Sequence, residues 1–227
     1  MCMSFHIDYK IFMNYIMRVR KMPLTQEISV NCGRSLFLCG DMYPKDMMSV
    51  LAPDRKGGVS VFPMVWGFTH EAVSKPIANC RIENADKKEM WRDSWCKRRC
   101  VIPASWYYEW GVPASAAEKR SAIEQRSTKK VKYAIQPEGS EVTYLAGLYR
   151  FEEHGGMQVP VFSVITREAA GAVRGIHDRM PLMLRKENVL DWIRPGGDPK
   201  GIAERAVTGV IAEEATEFHR SMTEFVN

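Results

Sequence analysis

Short apolar runs with strand character, separated by turns and charged segments, constrain the fold of this chain more than any other feature. Residues 58–66 follow the turn Asp54-Arg55-Lys56-Gly57-Gly58, which is a hairpin signal after residues 47–52. The aromatic run at residues 100–110 reads as one strand, and further extended runs cover residues 131–136, 142–150 and 158–166. Helical segments are scattered among them. The pattern predicts an α+β fold with a mixed, partly closed sheet.

Two helical segments and one insertion complete this prediction. Asp8 can cap a helix whose apolar side recurs at helical spacing through Val19, with Pro23 just beyond its end. Residues 84–95 form a charged helix with Trp91 and Trp95 on its buried side. Residues 111–130 change abruptly to small and charged types between two strands, so we expect an exposed insertion within a single domain spanning residues 1–227.

Composition excludes a wholly disordered or fibrous chain, because 45% of the residues are hydrophobic and 26% are charged. The formal net charge of +5 permits an acidic partner such as nucleic acid without requiring one. No stretch approaches the about 18 apolar residues of a membrane span, and polar residues interrupt the apolar N-terminus. We therefore expect a cytoplasmic protein with six reduced cysteines, and their spacing does not suggest a metal site.

Cys2 follows the initiator methionine, and removal of Met1 would make it the first residue. An α-amine has a pKa near ~7.8 against ~10.4 for lysine, so far more of it is unprotonated at neutral pH. Such an amine can attack an aldehyde to form a Schiff base. The adjacent thiol can then close a five-membered thiazolidine on the same carbon. The alternative is that cysteine stands at this position by chance.

Two strand-like segments carry polar residues among apolar neighbours. Asn79 and Arg81 are two residues apart and would share one face of a strand, where they suit a polar ligand and a phosphate, or simply a solvated edge. Glu109 lies within the run from Trp106 to Trp110. Burial beside aromatic rings would raise its pKa toward neutrality and let it transfer protons, unless it faces water.

His177 has the most distinctive setting of the five histidines. It lies in the loop Gly175-Ile176-His177-Asp178-Arg179-Met180-Pro181, which joins an imidazole to a carboxylate and a guanidinium. Pro181 restricts the exit of this loop. The loop is therefore a candidate for acid–base chemistry next to a bound anion.

These motifs together resemble the SOS-response-associated peptidase (SRAP) family of abasic-site-sensing proteins, which crosslink to single-stranded DNA. The resemblance is carried by Met-Cys at the start, Asn-x-Arg-x-Glu, Trp-Tyr-Tyr-Glu-Trp and His-Asp-Arg-Met-Pro, in the family's order, from Cys2 to about Trp192. It implies a barrel-like sheet and a positively charged DNA groove. It also implies that Cys2 is the nucleophile, that Asn79 orients the reacting groups, and that Glu109 and His177 transfer protons.

The same resemblance implies which residues bind DNA. Arg81 and Arg179 match the phosphate-contacting arginines of the family, and Trp66 and Trp110 stand where aromatic residues line its DNA site. It implies no metal and no organic cofactor, and a single-stranded DNA partner containing abasic sites. Apart from the resemblance, we expect no membrane association and a monomer.

Two other functions stay open, and the second of them is kept open by a departure from the family's pattern. Family members usually begin Met-Cys-Gly-Arg, whereas Met3 and Ser4 follow Cys2 here. One alternative is a thiol peptidase in which Cys2 and His177 form a nucleophile–base pair, with the Met1–Cys2 bond as its own substrate. A second alternative is a module that binds single-stranded DNA without a covalent bond.

Overall fold

Strands dominate the architecture. A computed structural model describes residues 3–36, 39–113 and 129–215. Within these ranges the strands are β1 (Phe5–Ile7), β2 (Gly40–Met42), β3 (Met47–Pro53), β4 (Val59–Trp66), β5 (Phe68–His70), β6 (Val73–Ile77), β7 (Asn79–Arg81), β8 (Arg99–Ala104), β9 (Trp106–Gly111), β10 (Val131–Pro137), β11 (Thr143–His154), β12 (Met157–Glu168), β13 (Arg179–Pro181), β14 (Met183–Leu184) and β15 (Val210–Glu214).

Five of these strands close into a barrel. The hydrogen-bonded order runs β12-β4-β3-β8-β11 and returns to β12, because β11 and β12 also pair with each other. The β4–β12 pairing is parallel and the other four are antiparallel, so the sheet is mixed. The long hairpin of β11 and β12 supplies much of the wall. The predicted α+β fold with a partly closed, barrel-like sheet is confirmed.

A second sheet of five strands has the order β15-β10-β9-β1-β2. The single strand predicted at residues 100–110 is wrong, because the chain passes from the barrel strand β8 to β9 of this sheet at Ser105. Ser105 is buried, and its backbone N–H donates to the carbonyl of His6. Its hydroxyl accepts from the backbone N–H of Asp8. Both halves of the run are rich in apolar residues because each packs within its own sheet.

Helices cover the barrel and its ends. They are α1 (Tyr9–Arg20), α2 (Pro23–Cys32), α3 (Ile82–Ala85), α4 (Glu89–Lys97), α5 (Val189–Ile193) and α6 (Pro199–Glu204). The predicted Asp8 cap is confirmed, since its carboxylate accepts from the backbone N–H of Lys10 at 2.7 Å. Pro23 begins a second helix as well as following the first, because a proline at the first helical position lacks only an N–H that the helix does not use.

The single helix predicted over residues 84–95 is wrong, because α3 ends at Ala85 and α4 begins at Glu89. Trp91 and Trp95 of α4 are buried as predicted. Most of the insertion predicted at residues 111–130 lies outside the described residues, and the single-domain organisation stays a prediction. Among the residues that the structure describes, no helix is long and apolar enough to cross a membrane.

Candidate functional site

Asn79 and Arg81 project from a short strand at the rim of the barrel. Strand β7 runs parallel to β12, with Asn79 beside Val164 and Arg81 beside Thr166. Cys80 between them is buried, and burial raises the pKa of its thiol to about 12. The thiol therefore stays protonated and packs as an apolar group, whereas Asn79 and Arg81 share the face predicted by strand alternation.

The start of the described chain lies between Asn79 and Glu109. Strand β1 is antiparallel to β9, with Phe5 opposite Tyr107, and the backbone N–H of Tyr108 donates to the carbonyl of Ser4 at 3.0 Å. Continuing that register places Met3 opposite Glu109. From the other side, Asn79 Nδ2 lies 3.7 Å from Met3 Sδ. Cys2 itself lies outside the described residues, one peptide unit before Met3.

Glu109 is buried, with 5% of its surface exposed, so the alternative that it faces water does not hold. Strand alternation puts Glu109 and Gly111 on the same face of β9. At Gly111 that face meets the loop before β13: a Cβ there would lie 2.7 Å from Ile176 Cγ2 and 3.0 Å from Ile176 Cα. The end of β9 thus contacts the segment that carries His177.

His177, Arg81 and Arg179 line one open depression of about 330 Å³, together with Arg174 and Asp178, as well as Glu168 and Ala169. Arg81 and Arg174 are exposed cations there. Arg174 was not among the predicted site residues, because no local motif marks it. The structure therefore gathers the predicted histidine and both predicted arginines at one surface.

Arg179 is committed to protein partners within this depression. Its two terminal nitrogens lie 2.8 and 2.9 Å from the carboxylate oxygens of Glu83, and one of them also donates to the carbonyl of Thr166. The hydrogen bond from Arg179 lowers the pKa of Glu83. Glu83 is the last residue of the Asn-x-Arg-x-Glu motif, and no role was predicted for it. A phosphate contact by Arg179 would have to share this guanidinium with Glu83.

The two tryptophans predicted to line a DNA site differ in exposure. Trp66 is fully buried, its Nε1–H donates to the carbonyl of Ala78 at 2.9 Å, and its ring stacks on Phe162. It offers no surface to a base, so the structure does not support its predicted DNA contact; instead it supports the residue before Asn79. Trp110 is 52% exposed. Alternation along β9 places it on the opposite face from Glu109.

A polar cluster on that opposite face ties β1 to its neighbours. Asp41 of β2 contacts His6 Nδ1 at 2.8 Å, Tyr108 Oη at 2.9 Å and Lys132 Nζ at 2.9 Å. Burial would raise the pKa of Asp41, but the hydrogen bonds from these three side chains outweigh it and lower the pKa. The His6 ring also stacks on Trp106. This cluster fixes the strand that leads from the chain start.

Comparison with known proteins decides the family. The model of the SOS response associated peptidase (SRAP) family matches residues 27–225. The chain belongs to the SRAP family. Abasic site processing protein YoaM of Bacillus subtilis is 30% identical over 126 residues, which cover 55% of this chain and 50% of YoaM. Abasic site processing protein YedK of Escherichia coli is 23% identical over 171 residues, covering 75% of this chain and 71% of YedK.

The fold is shared with a crystal structure of a protein from Bacteroides thetaiotaomicron. The TM-score is 0.67 at 18% sequence identity, with 94% of this chain and 91% of that chain covered. The chain spans about half the length of YoaM, the relative with the higher identity of the two described here. The structural likeness supports the architecture, and the roles of the site residues stay predictions.

Proposed function

We propose that this chain processes abasic sites in DNA by forming a covalent bond to the lesion through Cys2. The observation that carries the proposal is the position of Met3, whose Sδ lies 3.7 Å from Asn79 Nδ2 and which falls opposite Glu109 when the β1–β9 register is continued by two residues. Met3, which follows Cys2 in the sequence, is therefore close to two polar side chains of the kind that an aldehyde reaction requires. The names of YoaM and YedK support abasic sites as the substrate class.

The chemistry begins after Met1 is removed. An abasic deoxyribose opens when its C1′–O4′ bond breaks, O4′ takes a proton from His177, and the C1′ hydroxyl gives its proton to Glu109. The Cys2 amine adds to the resulting C1′ aldehyde and water leaves, which gives an imine. The thiol then adds to the imine carbon, and its proton moves to nitrogen as the thiazolidine closes. General acid–base catalysis of such steps contributes ~10²–10⁴-fold each.

The exposed cations account for DNA binding. Arg81 and Arg174 stand at the depression without the full neutralisation that Glu83 gives Arg179. Phosphates flanking the lesion would contact them, so the binding should weaken as salt rises. The reaction requires an unpaired, accessible sugar, which favours single-stranded DNA as the substrate. Arg179 then acts chiefly by holding β13 to α3.

A denaturing gel with abasic single-stranded DNA tests the proposal. The processed wild-type protein should give a heat-stable adduct, and Cys2→Ala should give none. Cys2→Ser keeps the amine and loses the thiol, so its imine should be trapped by borohydride but should not survive heating without it. Cys39→Ser and Cys96→Ser remove exposed thiols elsewhere and should leave the adduct unchanged. A heat-stable adduct with Cys2→Ala would refute the proposal.

The origin of the free amine has its own experiment. Purified precursor retaining Met1 is incubated and its intact mass followed. Loss of Met1 that depends on Cys2 and His177 would indicate self-processing, and retention would indicate that another enzyme removes it. Equal affinity for intact and abasic strands, with no adduct, would instead indicate a noncovalent DNA-binding module.

A further inference from the structure

The ring of His177 has one nitrogen with two partners that require opposite proton states. The backbone N–H of Arg179 donates to His177 Nδ1 at 2.9 Å, which requires a lone pair on that nitrogen. Asp178 Oδ1 lies 2.7 Å from the same Nδ1 and, as a carboxylate oxygen, accepts only from a nitrogen that carries a hydrogen. A single protonation state cannot satisfy both contacts.

We propose that Asp178 is a positioning residue that controls which nitrogen of His177 carries the hydrogen. With the Arg179 amide as partner, the neutral ring holds its hydrogen on Nε2. With Asp178 as partner, the hydrogen lies on Nδ1 and the lone pair on Nε2. Since the two nitrogens lie on opposite edges of the ring, Asp178 converts the Nε2 edge from a hydrogen-bond donor into a base.

Charged side chains surround the His177 ring and the Asp178 carboxylate. The depression around His177 is lined by Arg81 from β7, Arg174 from the 3-10 turn Gly171–Gly175, and Arg179 from the loop itself. The carboxylate of Asp178 contacts the ring itself, at 2.7 Å from Nδ1. Two other carboxylates face the region: Glu168 at the end of β12 lines the depression, and Glu109 lies on β9 beyond Ile176. Glu83, which also bonds Arg179, completes the charged set.

Asp178 touches the ring directly while remaining easy to remove. Its side chain is 83% exposed, whereas that of His177 is 24% exposed. The structural hydrogen bond of this residue is made by its backbone carbonyl, which accepts from Ala169 N–H. Truncation of the side chain therefore leaves neither a cavity nor an orphaned backbone group.

The consequence for the reaction rests on the proposed function. A ring protonated on both nitrogens gives its Nε2 proton to O4′ when the sugar opens. Its Nδ1 hydrogen stays on the ring and remains hydrogen-bonded to Asp178. The bare Nε2 can then accept a proton in a later step, when the Cys2 ammonium formed by addition to C1′ must lose one. Without Asp178, the Arg179 amide favours the neutral ring that carries its hydrogen on Nε2. In that form Nε2 has no lone pair with which to accept the proton of the Cys2 ammonium.

Nitrogen NMR of protein labelled in its histidine rings tests the inference independently of DNA chemistry. The signal of His177 is identified by its loss in His177→Gln. At a pH where the ring is neutral, the wild type should show a measurable fraction of hydrogen on Nδ1, and Asp178→Ala should show hydrogen on Nε2 only. Glu168→Gln makes the same change of net charge in the same depression and should keep the wild-type pattern.

The rate of adduct formation supplies the second readout. Asp178→Ala should form the adduct ~10-fold more slowly, a part of the ~10²–10⁴-fold that general acid–base catalysis supplies. Identical ring signals in the wild type and Asp178→Ala would overturn the inference. A changed signal in a protein whose wild type forms no adduct would uphold the inference and overturn the proposed function.

Discussion

Replacing Gly111 with alanine tests whether β9 positions the loop that carries His177. The new Cβ would lie 2.7 Å from Ile176 Cγ2, 3.0 Å from Ile176 Cα and 3.2 Å from the Ile176 carbonyl oxygen. Two of these three atoms are backbone, so rotation of the isoleucine side chain does not relieve the contact. Overpacking of this kind costs ~1–3 kcal/mol. The loop must shift, and a ~1 Å displacement of a catalytic group can slow a reaction by ~10²-fold.

Gly147 provides a matched control inside the barrel. A Cβ there would lie 2.6 Å from Ile102 Cδ1, 2.9 Å from Cys100 Sγ and 3.1 Å from the Ser163 carbonyl oxygen. Its substitution by alanine should cost a similar ~1–3 kcal/mol, because the overpacking is comparable. It should leave the loop of His177 in place, since none of the three contacted atoms belongs to residues 175–181.

The assay pairs urea unfolding with single-turnover adduct formation on abasic single-stranded DNA. Both variants should lose stability, and only Gly111→Ala should form the adduct more slowly per folded molecule, by ~10–100-fold. Adding Ile176→Ala to Gly111→Ala removes the closest contact and should recover part of both losses. A Gly111→Ala variant that is destabilised yet reacts at the wild-type rate would refute the assigned contact between β9 and this loop.

Three further predictions concern the ion pair and the exposed tryptophan. Glu83→Gln should lower the free energy of unfolding, measured in urea, by ~1–2 kcal/mol. This is less than the ~3–5 kcal/mol of a fully buried pair, because Glu83 is half-exposed. Asp93→Asn, at a surface ion pair, should lower it by less than ~0.5 kcal/mol. Arg179 lowers the pKa of Glu83, so the ion pair stabilises the fold fully above the unfolded pKa of ~4.3, and this stabilisation is lost as the pH falls through the folded pKa. Glu83→Gln should therefore make the free energy of unfolding depend less steeply on pH in the acid range. An unchanged pH dependence would contradict the assignment. Trp110→Ala should weaken single-stranded DNA binding by ~5–100-fold through lost stacking, while Phe151→Ala, equally exposed, should not; equal effects would argue against a stacking role.

Local signals in the sequence identified the elements whose partners lie nearby. The Asp8 cap and the apolar positions after it specify α1 because capping and helical spacing depend on residues within a few positions. The turn at residues 54–58 likewise specifies the β3–β4 hairpin. Asn79 and Arg81 could be placed on one face because strand alternation is a local property.

Features that depend on residues distant in the sequence could not be predicted from local sequence patterns. The break at Ser105 depends on backbone pairing with the chain start, and the burial of Trp66 depends on β12, about a hundred residues later. The ion pair between Arg179 and Glu83 joins residues that are 96 positions apart. A tryptophan or an arginine has the same local pattern whether it contacts DNA or the protein interior.

The central claim is that the amine and the sulfur of Cys2 both bond to one carbon of the lesion. Peptide mass spectrometry of the purified adduct after nuclease and protease digestion, with iodoacetamide added before digestion, tests this claim most directly. The account predicts that the sugar remnant resides on the peptide beginning at Cys2 and that its sulfur resists alkylation. A remnant on a lysine or another cysteine, or an alkylated Cys2 thiol within the adduct, would contradict it.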